Sequence, residues 1–402
     1  MSRICAFALF GCLLASAHPT RAQGPVLPAL LPDFAPASEA IREESAAVGL
    51  LVRSMLKPLK RQFVSRKELS LALDAIGIKN RRDLSVPGGT ATALIEKLLV
   101  DRVVLGQINF ANGRLVMSGQ VLNNKSETLA SITAYAPAGA VHNLAEQIAR
   151  QLATVLECSF EAIEPTAMRH LRLFATASNA EASGDIAAAA SAMALAPSGL
   201  GTKVTAIKEL AQSVWTHPQT PGDQKISIAL TVGEFEVART LSDKELKAHP
   251  QNISVRAARA RALVGMNDLR GAERELVGLQ GNMAQPDVAI AAAELAIAKG
   301  ANRGERDAAF QALTDATTEQ WAKPLAFMAS TPPNTFSNTV EALAVSRAKE
   351  FQPTNPSLAS AIGFRAVLGD VDGQRAVAMI RADDIGMADI ATILEKVEKL
   401  AL

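Results

Sequence analysis

The chain has few aromatic residues and no excess of charge of either sign. Its 402 residues include two tryptophans and one tyrosine, and aromatic residues make up only 4% of the total. Platforms for stacking sugars or nucleobases are therefore scarce. The 41 lysines and arginines nearly balance the 40 aspartates and glutamates, so no overall field attracts nucleic acid or an anionic membrane. We therefore expect no nucleic-acid partner.

Long hydrophobic runs are also missing, apart from a short one at the N-terminus. Arg3 precedes an apolar stretch over residues 4–15, which ends in the small residues around Ala17. A dozen apolar residues are too few to cross a bilayer, which needs about 20. Residues 1–22 are therefore predicted to be an export signal, cleaved after Ala17 or Ala22. The mature protein is expected in the periplasm or outside the cell, without a transmembrane helix.

The three cysteines suggest an alternative processing of the N-terminus and limit which disulfides the mature protein can form. Leu9-Phe10-Gly11-Cys12 resembles a lipobox, so a lipid anchor at Cys12 is the alternative to simple cleavage. Removal of the signal would leave Cys158 alone, because Cys5 also lies in that segment. A single cysteine cannot form an internal disulfide in an oxidising compartment. Cys158 is therefore predicted to be a small buried apolar residue.

The remaining chain divides by its periodicity into two parts. A spacer rich in proline and alanine, residues 23–38, with at most one short strand near residues 26–34, precedes an α+β domain over residues 39–160. The helical apolar period predicts helices over residues 39–59, 67–76, 90–99 and 138–156. Between the last two, three β-rich runs are separated by Asn112-Gly113 and Asn123-Asn124-Lys125, which predicts a meander of antiparallel strands.

From residue 165 to residue 402 the strand pattern stops and helical segments alternate with turns. Gly233, Phe235, Ala238 and Pro250 have the spacing of a TPR repeat, and Ala260, Leu263, Leu269 and Ala272 continue it at a period of 34 residues. This part resembles TPR domains, which bind peptides or partner proteins in a concave groove. The fold class is thus an α+β domain followed by an all-α, TPR-like repeat domain, mainly α overall. A generic alanine-rich helical domain is the alternative.

The α+β domain has a resemblance of its own. The segments "LKRQFVSRKELSLALDAIGI" and "LLVDRVVLGQINFANGRLVMSGQVLN" have a short strand ending at a basic residue, Arg66, and then a strand with Gly106 and a hairpin turn. This pattern is similar to that of the TolB amino-terminal-like superfamily, which includes envelope lipoproteins that act as scaffolds and regulators. The resemblance implies no catalytic residues.

Motifs that suggest enzymatic chemistry are incomplete. Ser54-Met55-Leu56-Lys57 matches S-x-x-K but lacks the partner motifs of serine acyltransferases. The acidic segment 370–373 lacks the distal glutamate of a calcium loop. No histidine lies at metal-ligand spacing from another histidine or a cysteine. We therefore predict a protein that is not an enzyme and needs no cofactor or metal.

Basic residues are the candidates for partner binding. Arg256, Arg259 and Arg261 lie on one helix of the predicted repeats, although three arginines so close in sequence cannot share one face. Lys60, Arg61 and Arg66 belong to a basic run that could meet an acidic partner. Together with the export signal and the two resemblances, these residues predict an exported scaffold of the bacterial cell envelope that binds a protein or peptide through its helical repeats. The alternative is a regulator or assembly factor of an envelope machine, concerned with cell-wall synthesis, secretion or flagella, that acts through the α+β domain.

Overall fold

A computed structural model describes most of the chain and confirms its predicted fold class. The described residues are 27–59, 62–78, 89–137, 140–163, 171–194, 204–311, 322–331 and 335–351. They form an α+β region followed by helices. The export signal with Cys12, the basic residues Lys60 and Arg61, and the acidic segment 370–373 lie outside the described residues.

The strands are β1 (Ala29–Leu30), β2 (Ala35–Pro36), β3 (Leu56–Pro58), β4 (Arg102–Ala111), β5 (Arg114–Asn123), β6 (Thr128–Pro137) and β7 (Cys158–Phe160). The helices of the first part are α1 (Arg42–Met55), α2 (Arg66–Ala75), α3 (Gly89–Leu98) and α4 (Val141–Leu156). Those of the second part are α5 (Leu171–Ala182), α6 (Ile186–Ala194), α7 (Thr205–Trp215), α8 (Gly222–Thr231), α9 (Phe235–Ala248), α10 (Ile253–Gly265), α11 (Leu269–Val277), α12 (Pro286–Ala298), α13 (Arg303–Gln311), α14 (Ala322–Ser330) and α15 (Asn338–Phe351).

The predicted meander is present as β4, β5 and β6. Asn112 and Gly113 adopt φ of 52° and 73° between β4 and β5, as the hairpin dipeptide predicted. On β6 the side chains alternate, with Ile132, Ala134 and Ala136 buried toward the helices. At the outer edge of β6, the amide of Gln151 pairs with both backbone groups of Thr133. This side chain therefore covers part of a sheet edge that would otherwise be open to strand pairing.

The described part of the predicted spacer, residues 27–38, contains two short strands where the sequence predicts at most one. The strands β1 and β2 pair in parallel with β4, and Ala29 and Leu30 are buried. β3 and β7, also unpredicted, form a second, two-stranded antiparallel sheet. Strands of two or three residues are too short to show a period, so only their distant partners reveal them.

The predicted boundary near residues 160–165 is not a break in the core. α1 is buried around most of its circumference because it packs against α4 on one side and against α5 and α7 on another. One hydrophobic cluster therefore extends from Ala29, through α1 and α4, to Val232 after α8. The α+β region and the first helical hairpins are held together by shared apolar contacts. The buried apolar residues of α2 and α3 form a separate, smaller core on the other face of the sheet.

Among the described residues of the second part, four helical hairpins have turns of the same kind. A residue with positive φ stands in each turn, namely Gly184, Gly233, Asn267 and Gly300. In each turn, the residue that follows the one with positive φ donates its N–H, at 2.9 Å, to the carbonyl five positions earlier. This hydrogen bond gives a partner to a carbonyl at the C-terminal end of the first helix, which has none within the helix. α9 and α11 begin at Phe235 and Leu269, which reproduces the 34-residue spacing. The alanines of the repeat pattern, Ala238, Ala260 and Ala272, are fully buried where these helices meet.

A matched pair of glycine substitutions tests the shared turn. A Cβ at Gly300 or at Gly281 would meet no atom within 4 Å, but only Gly300 has a positive φ, of 69°. We expect Gly300→Ala to lower the free energy of unfolding by about 1–2 kcal/mol, the cost of the left-handed conformation for an L-residue. Gly281→Ala should be neutral or slightly stabilising. Urea denaturation followed by circular dichroism measures both, and equal effects would contradict the assignment of the turn.

Candidate functional site

Two buried arginines from the α+β region bind acidic residues of the helical region. Arg66 is 5% exposed, and its guanidinium donates to Glu181 at 3.1 Å, to Asp33 at 2.9 Å and to the hydroxyl of Ser178 at 3.1 Å. Ser213 of α7 donates to the other oxygen of Glu181 at 2.8 Å. Arg66 thus joins α2 to α5 and, through Glu181, to α7. This side chain is therefore used within the fold, and its predicted contact with a partner stays a prediction.

Arg53 forms the second connection. Its Nε donates to Glu209 of α7 at 2.6 Å, and its two terminal nitrogens donate to the carbonyls of Leu31 and Val64. The ring of Phe63 lies under the guanidinium, 5.7 Å from it. Arg53 is 8% exposed, and a buried charge of this kind needs its partners to remain ionised. The junction between the two regions is therefore both apolar and ionic.

The S-x-x-K segment takes a structural role at the same junction. Ser54 is buried, donates to the carbonyl of Leu50 and accepts the N–H of Ala206 at the start of α7, at 3.1 Å. The ammonium group of Lys57 lies 3.6 Å from the carboxylate of Glu161. Ser54 therefore provides an N-terminal cap for α7 from a distant part of the chain, and its hydroxyl is not placed as a nucleophile.

A cleft of about 400 Å³ opens beside this ionic junction, between α2 and the helices α5, α6 and α7. One wall is a face of α2 that presents Lys67, Leu71 and Asp74. The opposite wall contains the turn at Gly184, together with Ile186 and His217, which follows the end of α7. A smaller cavity of about 180 Å³ shares Lys67, Ser213 and Thr216 with the cleft, so the two form one groove along α2.

The local sequence explains how α2 is held in this place. Ser65 and Glu68 form a capping box, in which Ser65 accepts the N–H of Glu68 and Glu68 accepts the N–H of Ser65. These hydrogen bonds from the backbone and the hydroxyl of Ser65 lower the pKa of Glu68. Leu69, Ala72 and Leu73 are buried against α3 and the sheet. Leu71 lies on the opposite face and is 61% exposed.

Sequence reasoning missed the cleft, although α2 carried one usable indication. A leucine on the polar face of an amphipathic helix, as at position 71, lies off the stripe that the core requires. Its exposure therefore suggests contact with something outside the fold. The acidic partners of Arg66 and Arg53 gave no comparable indication. Glu181 is 115 residues from Arg66, and Glu209 is 156 residues from Arg53.

The three arginines predicted to contact a partner from the repeats are also used within the fold. Arg256 pairs with Glu275 at 3.3 Å, and Arg259 pairs with both Glu275 and Asp243. Burial lowers the pKa of Arg259, but these two carboxylates outweigh that effect and hold it above its usual value. Arg261 lies 3.1 Å from Glu294, and both side chains are largely buried. Within the fold, α9, α11 and α12 supply a carboxylate opposite each of them, and their contact with a partner stays a prediction.

The contribution of Asp287, an acidic residue of the repeats, to the free energy of unfolding is expected to depend on pH. Asp287 of α12 binds Lys323 of α14 at 2.9 Å. Burial raises the pKa of Asp287, but Lys323, the hydroxyl of Ser254 and the charge of Arg261 together lower it below the ordinary value of 3.8. Its carboxylate therefore contributes stability that is present above the unfolded-state pKa and is lost as the pH falls through the folded-state pKa.

We expect Asp287→Asn to lower the free energy of unfolding at about pH 7 and to reduce its further decline below about pH 4. The amide can no longer lose a charge on acidification, so the difference between the variant and the wild type should shrink as the pH falls. Urea denaturation at several pH values measures this difference. A difference that stays constant down to about pH 2 would contradict the assignment. Asp223→Asn, at an exposed aspartate in the first turn of α8, is the matched control.

The described residues contain no cluster of three or more metal-ligating side chains and no helix long and apolar enough to cross a membrane. The thiol of Cys158 is buried, as the sequence predicted. Comparison of the chain with protein-family models, with curated proteins and with solved structures found no match. The resemblances to TPR domains and to the TolB amino-terminal-like superfamily therefore stay predictions.

Proposed function

We propose that this chain is an exported, non-catalytic scaffold of the bacterial cell envelope that binds a protein or peptide partner. The cleft beside α2 is the observation that supports the proposal. It is a largely preformed concavity, held by buried ion pairs, with an exposed leucine on one wall. The binding surface that we propose therefore lies at the junction of the α+β region with the helical hairpins, and the repeats serve to build one side of it.

Site-specific crosslinking tests this proposal. A photoreactive amino acid at position 71 is expected to crosslink the partner in an envelope fraction, because Leu71 is a large apolar side chain on the cleft wall and is 61% exposed. The control carries the same group at position 277, since Val277 is also exposed, at 58%, but lies on α11. Crosslinks from position 277 alone would move the site to the repeats. Crosslinks from neither position would count against a protein partner.

Exposed apolar residues on β6 support the alternative, a regulator that acts through the α+β region. Leu129 and Tyr135 lie on the solvent face of β6, 44% and 56% exposed, and the guanidinium of Arg114 lies 5.6 Å from the tyrosine ring. Exposed apolar residues on one sheet face suit a protein contact. Crosslinking from position 135 and not from position 71 would favour this alternative.

A further inference from the structure

The cleft presents two opposite charges that are not neutralised within the described part of the chain. Lys67 and Asp74 are exposed, line the cleft and form no ion pair or side-chain hydrogen bond with any described residue. The other charged residue of this cleft, Glu181, is bound by Arg66 and Ser213. The two free charges therefore stand near opposite ends of the α2 face, where a ligand could meet both.

From this arrangement we propose that the cleft binds a short, extended peptide with free ends. Its ammonium group pairs with Asp74, its carboxylate pairs with Lys67, and an apolar side chain between them contacts Leu71. This inference rests on the proposed function, because it names the chemistry of the ligand that the same cleft accepts.

The length of the peptide follows from helix geometry. Lys67 and Asp74 are two turns apart on α2, and a rise of 1.5 Å per residue separates them by about 10 Å along the axis. An extended chain covers about 3.3–3.6 Å per residue. A peptide of about three residues therefore places its two charged ends opposite these two side chains.

The apolar part of the cleft lies between the charges. Leu71 is one turn from each charged residue on α2, and Ile186 and Pro218 belong to the lining of the same cleft. An apolar side chain at the middle of the peptide would contact these three residues, of which Leu71 and Pro218 are exposed in the free protein and Ile186 is buried. A mixed lining of this kind suits a peptide better than a nucleic acid or an anionic lipid, which would need an excess of positive charge.

The test uses the tripeptide Ala-Leu-Ala with free ends, titrated into the purified full chain and followed by calorimetry or NMR. For a ligand of this size we expect a dissociation constant of about 0.1 mM. The same peptide with an acetylated N-terminus and an amidated C-terminus should bind at least about fivefold more weakly, because it lacks both charges.

Charge-reversed variants locate the site. Lys67→Glu and Asp74→Lys should each weaken binding about three- to fivefold. The variant with both changes should recover most of the affinity, because the peptide can then bind in the opposite direction. Lys97→Glu, on the exposed face of α3, is the control for net charge. Leu71→Ser should weaken binding without changing the free energy of unfolding, since Leu71 is exposed.

Equal binding of the free and the blocked peptide, or affinities unchanged in both single variants, would overturn the inference. A lack of any peptide binding would overturn it as well. Crosslinking of a partner from position 71 is independent of these results. If that crosslink persists while the tripeptide fails, the scaffold proposal stands and only the peptide chemistry is wrong.

Discussion

Replacing Arg66 with alanine is expected to lower the free energy of unfolding by about 3–5 kcal/mol, the usual cost of breaking a buried ion pair from one side. The substitution leaves Asp33 and Glu181 without their cation, and both carboxylates are largely buried. The loss should affect the α+β region and the helical region together, because Arg66 connects α2 with α5. Urea denaturation followed by circular dichroism measures the change.

The matched control is Arg150→Ala. Arg150 also binds a carboxylate, that of Glu146 at 2.6 Å, but its side chain is 60% exposed. Solvent screens such a pair, so the control should lose no more than about 1 kcal/mol. The double variant Arg66→Ala with Glu181→Gln should be less destabilised than the sum of its single variants, because the second change removes the unpaired charge. Equal losses in Arg66→Ala and Arg150→Ala would show that burial does not govern the contribution of Arg66.

Replacing Gly265 with alanine is expected to lower the free energy of unfolding by about 1–3 kcal/mol, as overpacking does. Gly265 is the last residue of α10, and a Cβ there would overlap the ring of Phe235 at the start of α9. Helix propensity alone predicts the opposite sign, since alanine is favoured over glycine in a helix by about 1 kcal/mol. The contact between two repeats therefore outweighs the local preference.

A second substitution identifies the contact. Phe235→Leu makes room beside position 265, so the pair Gly265→Ala with Phe235→Leu should be less destabilised than additivity predicts. Gly281→Ala, where a Cβ would meet nothing, controls for the general effect of removing a glycine. A stabilising Gly265→Ala would show that α9 and α10 do not approach each other as closely as described.

The shared core also determines which variants can test the proposed function. By the boundary predicted from the sequence, deletion of residues 165–402 would separate two independent parts. In the structure, Phe174 of α5 and Leu210 of α7 are fully buried in the core that contains α1. Such a deletion would expose apolar surface and remove Glu209 and Glu181, the acidic partners that the helical region supplies to Arg53 and Arg66. Point substitutions on the cleft wall are therefore the more informative experiments.

The sequence by itself determined the elements with a strong local pattern. The meander β4–β6, its Asn112-Gly113 turn, the long helix α4 and the spacing of the hairpins at Phe235 and Leu269 could all be predicted. In these segments the period of the apolar residues and the conformational preferences of turn residues act over a few neighbours, so a short window of sequence contains the whole cause.

Only the tertiary structure decided which residues meet across long distances in sequence. The pairing of β1 and β2 with β4, the common core of the two regions, and the carboxylates opposite Arg66, Arg256, Arg259 and Arg261 depend on how complete elements pack. A charged residue has the same local pattern whether it faces solvent or a partner more than a hundred positions away. The cleft with Lys67, Leu71 and Asp74 depends on the same packing, because one of its walls comes from α2 and the other from α5–α7.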